Sequence, residues 1–200
     1  MDIILASASP RRTELLKQIG LEHRILVSDY QEQLDDKKSP AENVSALALA
    51  KAVRVSQLLT QGLVIGADTI VVLNEHILGK PDSLEAAEAM LRALSGRTHQ
   101  VLTAVALVDA EGMQPSWQCV EATKVTFRPL DDRLIRWYLS TGESMDKAGA
   151  YGIQGYGALL VEKIEGCYFN VVGLPLVRVV EGLERFGVDI YGKQGNAIYY

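Results

Sequence analysis

The chain has 200 residues, 48% hydrophobic and 22% charged, which supports one sizeable core without a second domain, so a single α/β domain is the expectation. A formal net charge of −5 speaks against a broad nucleic-acid surface, and no apolar run reaches the roughly 18 residues of a membrane helix. Two cysteines, Cys119 and Cys167, lack metal-ligand spacing, and no basic N-terminal region leads into a long apolar stretch, so neither a disulfide framework nor a zinc site is indicated and a cytoplasmic protein is expected.

Residues 3–6 read as a short buried strand, followed by Ser7-Ala8-Ser9-Pro10-Arg11-Arg12. Here Ser9 is a candidate N-cap and Pro10 the first residue of a helix over 10–19, with Leu15, Leu16 and Ile19 as its apolar face and Gly20 as its stop. Arg11 and Arg12 then occupy the first helical turn, where unpaired N–H groups and the helix dipole disfavour cations by about 0.3–1 kcal/mol each. The segment Ser39-Pro40-Ala41-Glu42 has the same Ser-Pro start but an acid at the capping-box position. Against that comparison the arginine pair reads as a seat for a phosphate, the alternative being pairing with surface carboxylates.

A helix over 40–59 places Val44, Leu47, Ala48, Val55 and Leu58 on one face with Lys51 near its centre, so the ammonium must snorkel or pair with an acid or phosphate. Residues 63–73, LVIGADTIVVL, have the composition of a buried strand interrupted by Asp68 and Thr69. A carboxylate there must meet a cation, a metal or water in a cleft, unless it caps a turn, and Gly66 and Ala67 leave room for close approach. Lys80, in Gly79-Lys80-Pro81, is held extended by the proline. A helix over 83–94 is expected, with Asp82 and Glu85 as its capping box and Gly96 closing it.

Strands are expected at 101–108 and 119–127, the second alternating Val120, Ala122 and Lys124 against Glu121, Thr123, Val125 and Phe127, then a helix over 131–140. The segment Asp146-Lys147-Ala148-Gly149-Ala150-Tyr151-Gly152-Ile153-Gln154-Gly155 permits close backbone approach, and Gln154 carries the paired donor and acceptor suited to a base edge. Strands at 158–164 and 168–172 and a helix over 175–186 follow, and the tail from 192 shows no periodicity. The interleaving predicts a mixed sheet flanked by helices. His23, His76 and His99 lack metal-ligand spacing.

Taken together, SASPRR, Lys51, GADTIV around Asp68, GKP at Lys80, SGRTH at 95–99 and DKAGAYGIQG at 146–155 resemble the Maf family of nucleoside triphosphate pyrophosphatases, in order and over nearly the whole chain. The GAYGIQG ending resembles the branch acting on dTTP and UTP. The resemblance implies an ITPase-like (Maf/Ham1-like) α/β fold with a deep central cleft over 1–191, and a tail at 192–200. It implies a homodimer, and hydrolysis between the α and β phosphates with a divalent cation, Mg²⁺ first and Mn²⁺ second. By position, Asp68 would be the proton acceptor, aided by Glu32 with water and metal; Arg12, Lys51 and Lys80 would hold phosphates; Arg11, Thr69 and Gln154 would tune substrate choice, with Ser7 and Ser9 also at the substrate. The rival readings are a 7-methyl-GTP-type pyrophosphatase and a non-catalytic nucleotide-binding regulator of septum formation. A regulator needs the phosphate seat but not a water-activating acid, so the placement of Asp68 favours the enzyme.

Overall fold

The computed structural model describes residues 1–112 and 115–192. In chain order the elements are β1 (Ile3–Leu5), α1 (Pro10–Gln18), β2 (Arg24–Ile25), α2 (Pro40–Ser56), β3 (Leu63–Leu73), β4 (His76–Leu78), α3 (Leu84–Leu94), β5 (Thr98–Asp109), β6 (Pro115–Phe127), α4 (Asp132–Ser140), β7 (Val161–Glu165), α5 (Tyr168–Val172) and α6 (Leu176–Arg185). The described strands form one mixed sheet of order β2-β1-β3-β5-β6-β7, with β4 added to β3. Strand β1 runs parallel to β2 and β3; the remaining pairings are antiparallel.

Because successive side chains on a strand point to opposite faces, β3 divides the core. Val64, Ile70 and Val72 join Leu102, Ala104 and Ala106 of β5 beneath Val44, Ala48, Ala52 and Val55 of α2. On the other face, Leu63, Ile65 and Ala67 meet Leu15 and Leu16 of α1 and Val179 and Leu183 of α6. Further along that face, Val71 and Val101 pack against Leu91 and Leu94 of α3 and Ile135 and Tyr138 of α4.

The register of β3 creates an opening in the sheet. Strand β1 pairs with Leu63, Val64 and Ile65, and β4 pairs with Val71, Val72 and Leu73. Between them, the edge of Gly66 to Ile70 has no strand neighbour on that side among the described residues, and Asp68 and Thr69 lie in this interval.

Several local expectations change. Residues 168–172 form helix α5 rather than a strand. A run of five residues has no decisive period, and Asn170, whose side chain is fully buried and donates to Val101 O and Thr123 Oγ1, anchors the turn. Residues 155–159 are a 3-10 segment, so the last strand begins at Val161 rather than 158, the Glu143 carboxylate having taken the N–H groups of Tyr156 and Gly157. Helix α3 is capped by Ser83, which accepts from Ala86 N, and not by an Asp82–Glu85 box, because the chain stays extended through Ser83 (φ −149°, ψ 166°). Helix α2 stops at Ser56, leaving Leu58 exposed rather than on the buried face. Strands β2 and β4, too short for a periodic signal, have no counterpart in the sequence reading. The alternation of β6 stands, with Thr123, Val125 and Phe127 buried and Ala122 and Lys124 exposed. Of the tail at 192–200, residues 193–200 lie outside the described residues.

Candidate active site

The tip of α1 forms one wall. Ser9 occupies the N-cap with extended backbone, but its side chain makes no capping bond, and no acid lies in the first turn. Ser7 Oγ instead accepts from Ser9 N (3.2 Å) and from Arg12 Nη1 (3.0 Å). The Arg12 guanidinium is buried, and its Nε donates to Gly173 O (2.8 Å), Nη1 also to Ala67 O (2.9 Å), and Nη2 to Thr69 Oγ1 (3.1 Å). Ala67 lies on the unpaired interval of β3, so the arginine supplies a backbone partner that a neighbouring strand would otherwise give. Burial lowers the Arg12 pKa from its usual value, opposed by the charges of Asp68 and Glu32. Arg11 reaches Asp146 at 3.4 Å near the rim, a contact of the strength that a ligand can displace.

The opposite wall is built by α2. A Cβ on Gly66 would lie 2.3 Å from Ala48 O and 2.8 Å from Ala52 Cβ, so only glycine lets the helix come this close to β3. Asp68 is the next residue on the same face, and Lys51 follows Ala48 by one turn of α2. Lys51 Nζ bonds Asp68 Oδ1 and, at 2.6 Å, Glu32 Oε1, which comes from the segment between β2 and α2. The lysine resolves its place on an apolar face by pairing, as buried charges must. Partial burial raises the Glu32 pKa, but the Lys51 hydrogen bond and the charges of Lys51, Lys80 and Arg12 outweigh it and hold this carboxyl below its ordinary value.

Both walls face one cleft of about 610 Å³, and Ser7, Ser9, Arg11, Arg12, Glu32, Lys51, Asp68, Thr69, Lys80 and Gln154 all line it. Lys80 and Gln154 are exposed at its rim. Gly149 N donates to Gly79 O at 3.0 Å, tying the Lys80 loop to the glycine-rich segment, and Gly149 takes φ 66° against Val71, where a side chain would be strained. Asp146 is held below the ordinary carboxyl range: burial raises its pKa, but the hydrogen bond and charge of Lys147, together with Arg11, prevail.

Sequence reading did not single out Glu143, which holds the turn after Gln154, nor Thr103, Asn170 and the Gly173 carbonyl behind Arg12 and Thr69. Each acts through a contact between residues distant in the chain, and no local pattern marks it.

Among the described residues no three His, Cys, Asp or Glu side chains converge as a metal cage. Asp68 and Glu32, drawn together by one ammonium, offer the hard carboxylate oxygens that Mg²⁺ accepts alongside phosphate oxygens and water. The donor set therefore fits a divalent cation that arrives with an anionic ligand. Among the described residues no helix is long and apolar enough to cross a membrane.

A family model described as Maf-like protein matches residues 2–186. Among curated proteins, the chain is 56% identical to a dTTP/UTP pyrophosphatase of Moorella thermoacetica over 96% of this chain and 98% of that one. It is 52% identical to a dTTP/UTP pyrophosphatase of a Geobacillus species, over 92% of this chain and 98% of that one. Among solved structures, a HAM1 protein from Coxiella burnetii is similar, with TM-score 0.52 at 15% identity over 92% of this chain and 99% of that one, a likeness of fold.

Proposed function

The chain belongs to the Maf family, and on that premise we propose that it is a nucleoside triphosphate pyrophosphatase that hydrolyses dTTP and UTP to the nucleoside monophosphate and pyrophosphate. The observation that carries this reading is Lys51 joining Asp68 and Glu32 in the same cleft as the arginine-bearing tip of α1. Phosphoanhydride cleavage asks chiefly for a positioned water and neutralised charge, and this arrangement offers both.

Asp68 Oδ1 is fixed by Lys51, leaving Oδ2 to orient a water and take its proton as the water oxygen bonds to the α-phosphorus. The bond from that phosphorus to the bridging oxygen breaks, and pyrophosphate leaves with the electron pair. Lys80, Lys51 and the N–H groups at the tip of α1 face the departing charge, while Arg12 adds its charge and braces the wall. Asp68 and Glu32 would hold a divalent cation, Mg²⁺ or Mn²⁺, which when bound screens the phosphate oxygens and polarises the linkage. Gln154 and Arg11, at the rim, read the base. The chain acts as one domain over 1–191, in the cytoplasm and as a homodimer; sedimentation as a single 21.9 kDa species would remove the dimer from this account.

The test is incubation with a panel of nucleoside triphosphates and Mg²⁺, measuring pyrophosphate against orthophosphate. Release of pyrophosphate from dTTP and UTP is expected, and Asp68→Asn should lower kcat at least about 100-fold while nucleotide still binds. Orthophosphate as the product, or full activity in Asp68→Asn, would overturn the assignment. Binding without turnover in the parent protein would favour the regulator.

A further inference from the structure

The two hydroxyls that flank Arg12 face the cleft with opposite hydrogen-bonding polarity, and proton counting establishes this. Thr103 stands opposite Thr69 in the β3–β5 register, is fully buried, and donates its hydroxyl to Asn170 O at 2.9 Å. Two oxygens at that separation repel unless a proton lies between them, so the single hydroxyl proton of Thr103 is committed there. Thr69 Oγ1 lies 2.9 Å from Thr103 Oγ1, and the proton of that contact must therefore come from Thr69. Thr69 also accepts from Arg12 Nη2, which leaves it one lone pair and no proton. Ser7 is the reverse case: Ser9 N and Arg12 Nη1 fill both of its lone pairs, and its proton remains.

The end of this chain of bonds is fixed. Asn170 O also accepts from Gly173 N (3.0 Å), and the Asn170 side-chain amide donates to Val101 O and Thr123 Oγ1, both at 2.9 Å, so the terminal acceptor cannot turn away. Arg12 can only donate. The direction Arg12 to Thr69 to Thr103 to Asn170 is thus the one consistent with each partner's protons.

We propose that Thr103 is a positioning residue that locks Thr69 as an acceptor toward the cleft, so that Thr69 reads an N–H or O–H donor on the nucleoside while Ser7 donates to phosphate. The proposal deepens the nucleotide reading above and rests on it. Phosphate oxygens of a bound triphosphate are acceptors, and an acceptor-only hydroxyl turns them away. Uracil and thymine carry an imide N–H where cytosine has a bare ring nitrogen, and the sugar hydroxyls are the other donors available.

The experiment is calorimetric binding of the α,β-methylene analogues of UTP, CTP and dUTP, and of pyrophosphate, so that the result does not depend on turnover. Thr103→Val keeps the volume but frees the Thr69 proton to point into the cleft. The preference for the UTP analogue over the CTP analogue should fall about tenfold if the imide is read. The preference over the dUTP analogue should fall instead if the 2′-hydroxyl is read, and Thr103→Ser should restore the parent ratios. Ser7→Ala should weaken pyrophosphate about tenfold, whereas Thr69→Val should leave it within about twofold.

Should Thr103→Val fail to fold, Thr69→Val must show the same loss of preference. Unchanged ratios in the folded variants, a uniform loss for every ligand, or a loss of pyrophosphate in Thr69→Val matching that in Ser7→Ala would overturn the proposal. So would a parent protein that binds none of the analogues. A parent that binds them with these ratios but releases no pyrophosphate from UTP would refute the enzymatic reading alone.

Discussion

Arg12 shows how a charge expected at a ligand can serve the wall that holds it. Four of its five N–H donors go to Gly173 O, Ser7 Oγ, Ala67 O and Thr69 Oγ1, so the side chain closes a strand edge and sets the two hydroxyls beside it. His99 carries a different consequence. It is buried, touches Tyr151 OH through Nε2 at 2.7 Å, and burial pulls its pKa down to about 4. Since the unfolded chain binds this proton near pH 6.5, the folded state loses no stability to it above that pH and loses progressively more as pH falls toward 4, up to about 3 kcal/mol. Urea unfolding at pH 7 and pH 4.5 should show this decline, and His99→Gln should have a flatter pH dependence. Equal slopes for the two proteins would mean that His99 is not the group responsible.

Among the elements, the contact between α2 and β3 sets the geometry of the candidate site. Helix α2 is entered through a complete capping box, Ser39 accepting from Glu42 N while Glu42 reaches back to Ser39 N, and it ends at Ser56, where Leu58 N and Leu59 N turn to Val55 O and Ser56 O. Its approach to the sheet depends on Gly66, and that approach brings Lys51 to Asp68. Gly66→Ala should therefore destabilise the fold by about 1–3 kcal/mol through overpacking and lower kcat more than a surface change of equal thermodynamic effect. Chemical denaturation and kinetics on the same preparation check this. A variant that loses stability yet retains full kcat would show that the lysine does not depend on this contact.

At the level of the molecule, one gap in a sheet joins two faces. The α2 face delivers Asp68 and Lys51, the α1 face delivers Arg12 and Thr69, and they share a cleft because β1 ends before Gly66 and β4 begins pairing at Val71. A ligand that fills this cleft contacts both layers and should stabilise the whole domain. At 100 times its Kd, the α,β-methylene UTP analogue should add about 2.7 kcal/mol and raise Tm by roughly 5–10 °C, less so at high salt. Differential scanning fluorimetry gives the answer, and a Tm indifferent to the analogue would argue that the cleft is not its site.

The sequence alone determined most elements and singled out residues that the fold gathers in one cleft. The Asp68 carboxylate in an aliphatic strand, the lysine on an apolar helix face and the arginines in a first turn each violate a local rule, and such violations are visible without coordinates. It also carried the resemblance to the family, in motifs that occur in order along the chain, and the family model matches residues 2–186. Tertiary structure decided the rest. That Lys51 pairs with two acids, that Arg12 braces the wall, that residues 168–172 turn into a helix around a buried Asn170, and that Thr69 has no proton to offer all depend on partners far apart in the chain. Periodicity reports which way a side chain points within its own element; only packing determines which donor meets which acceptor.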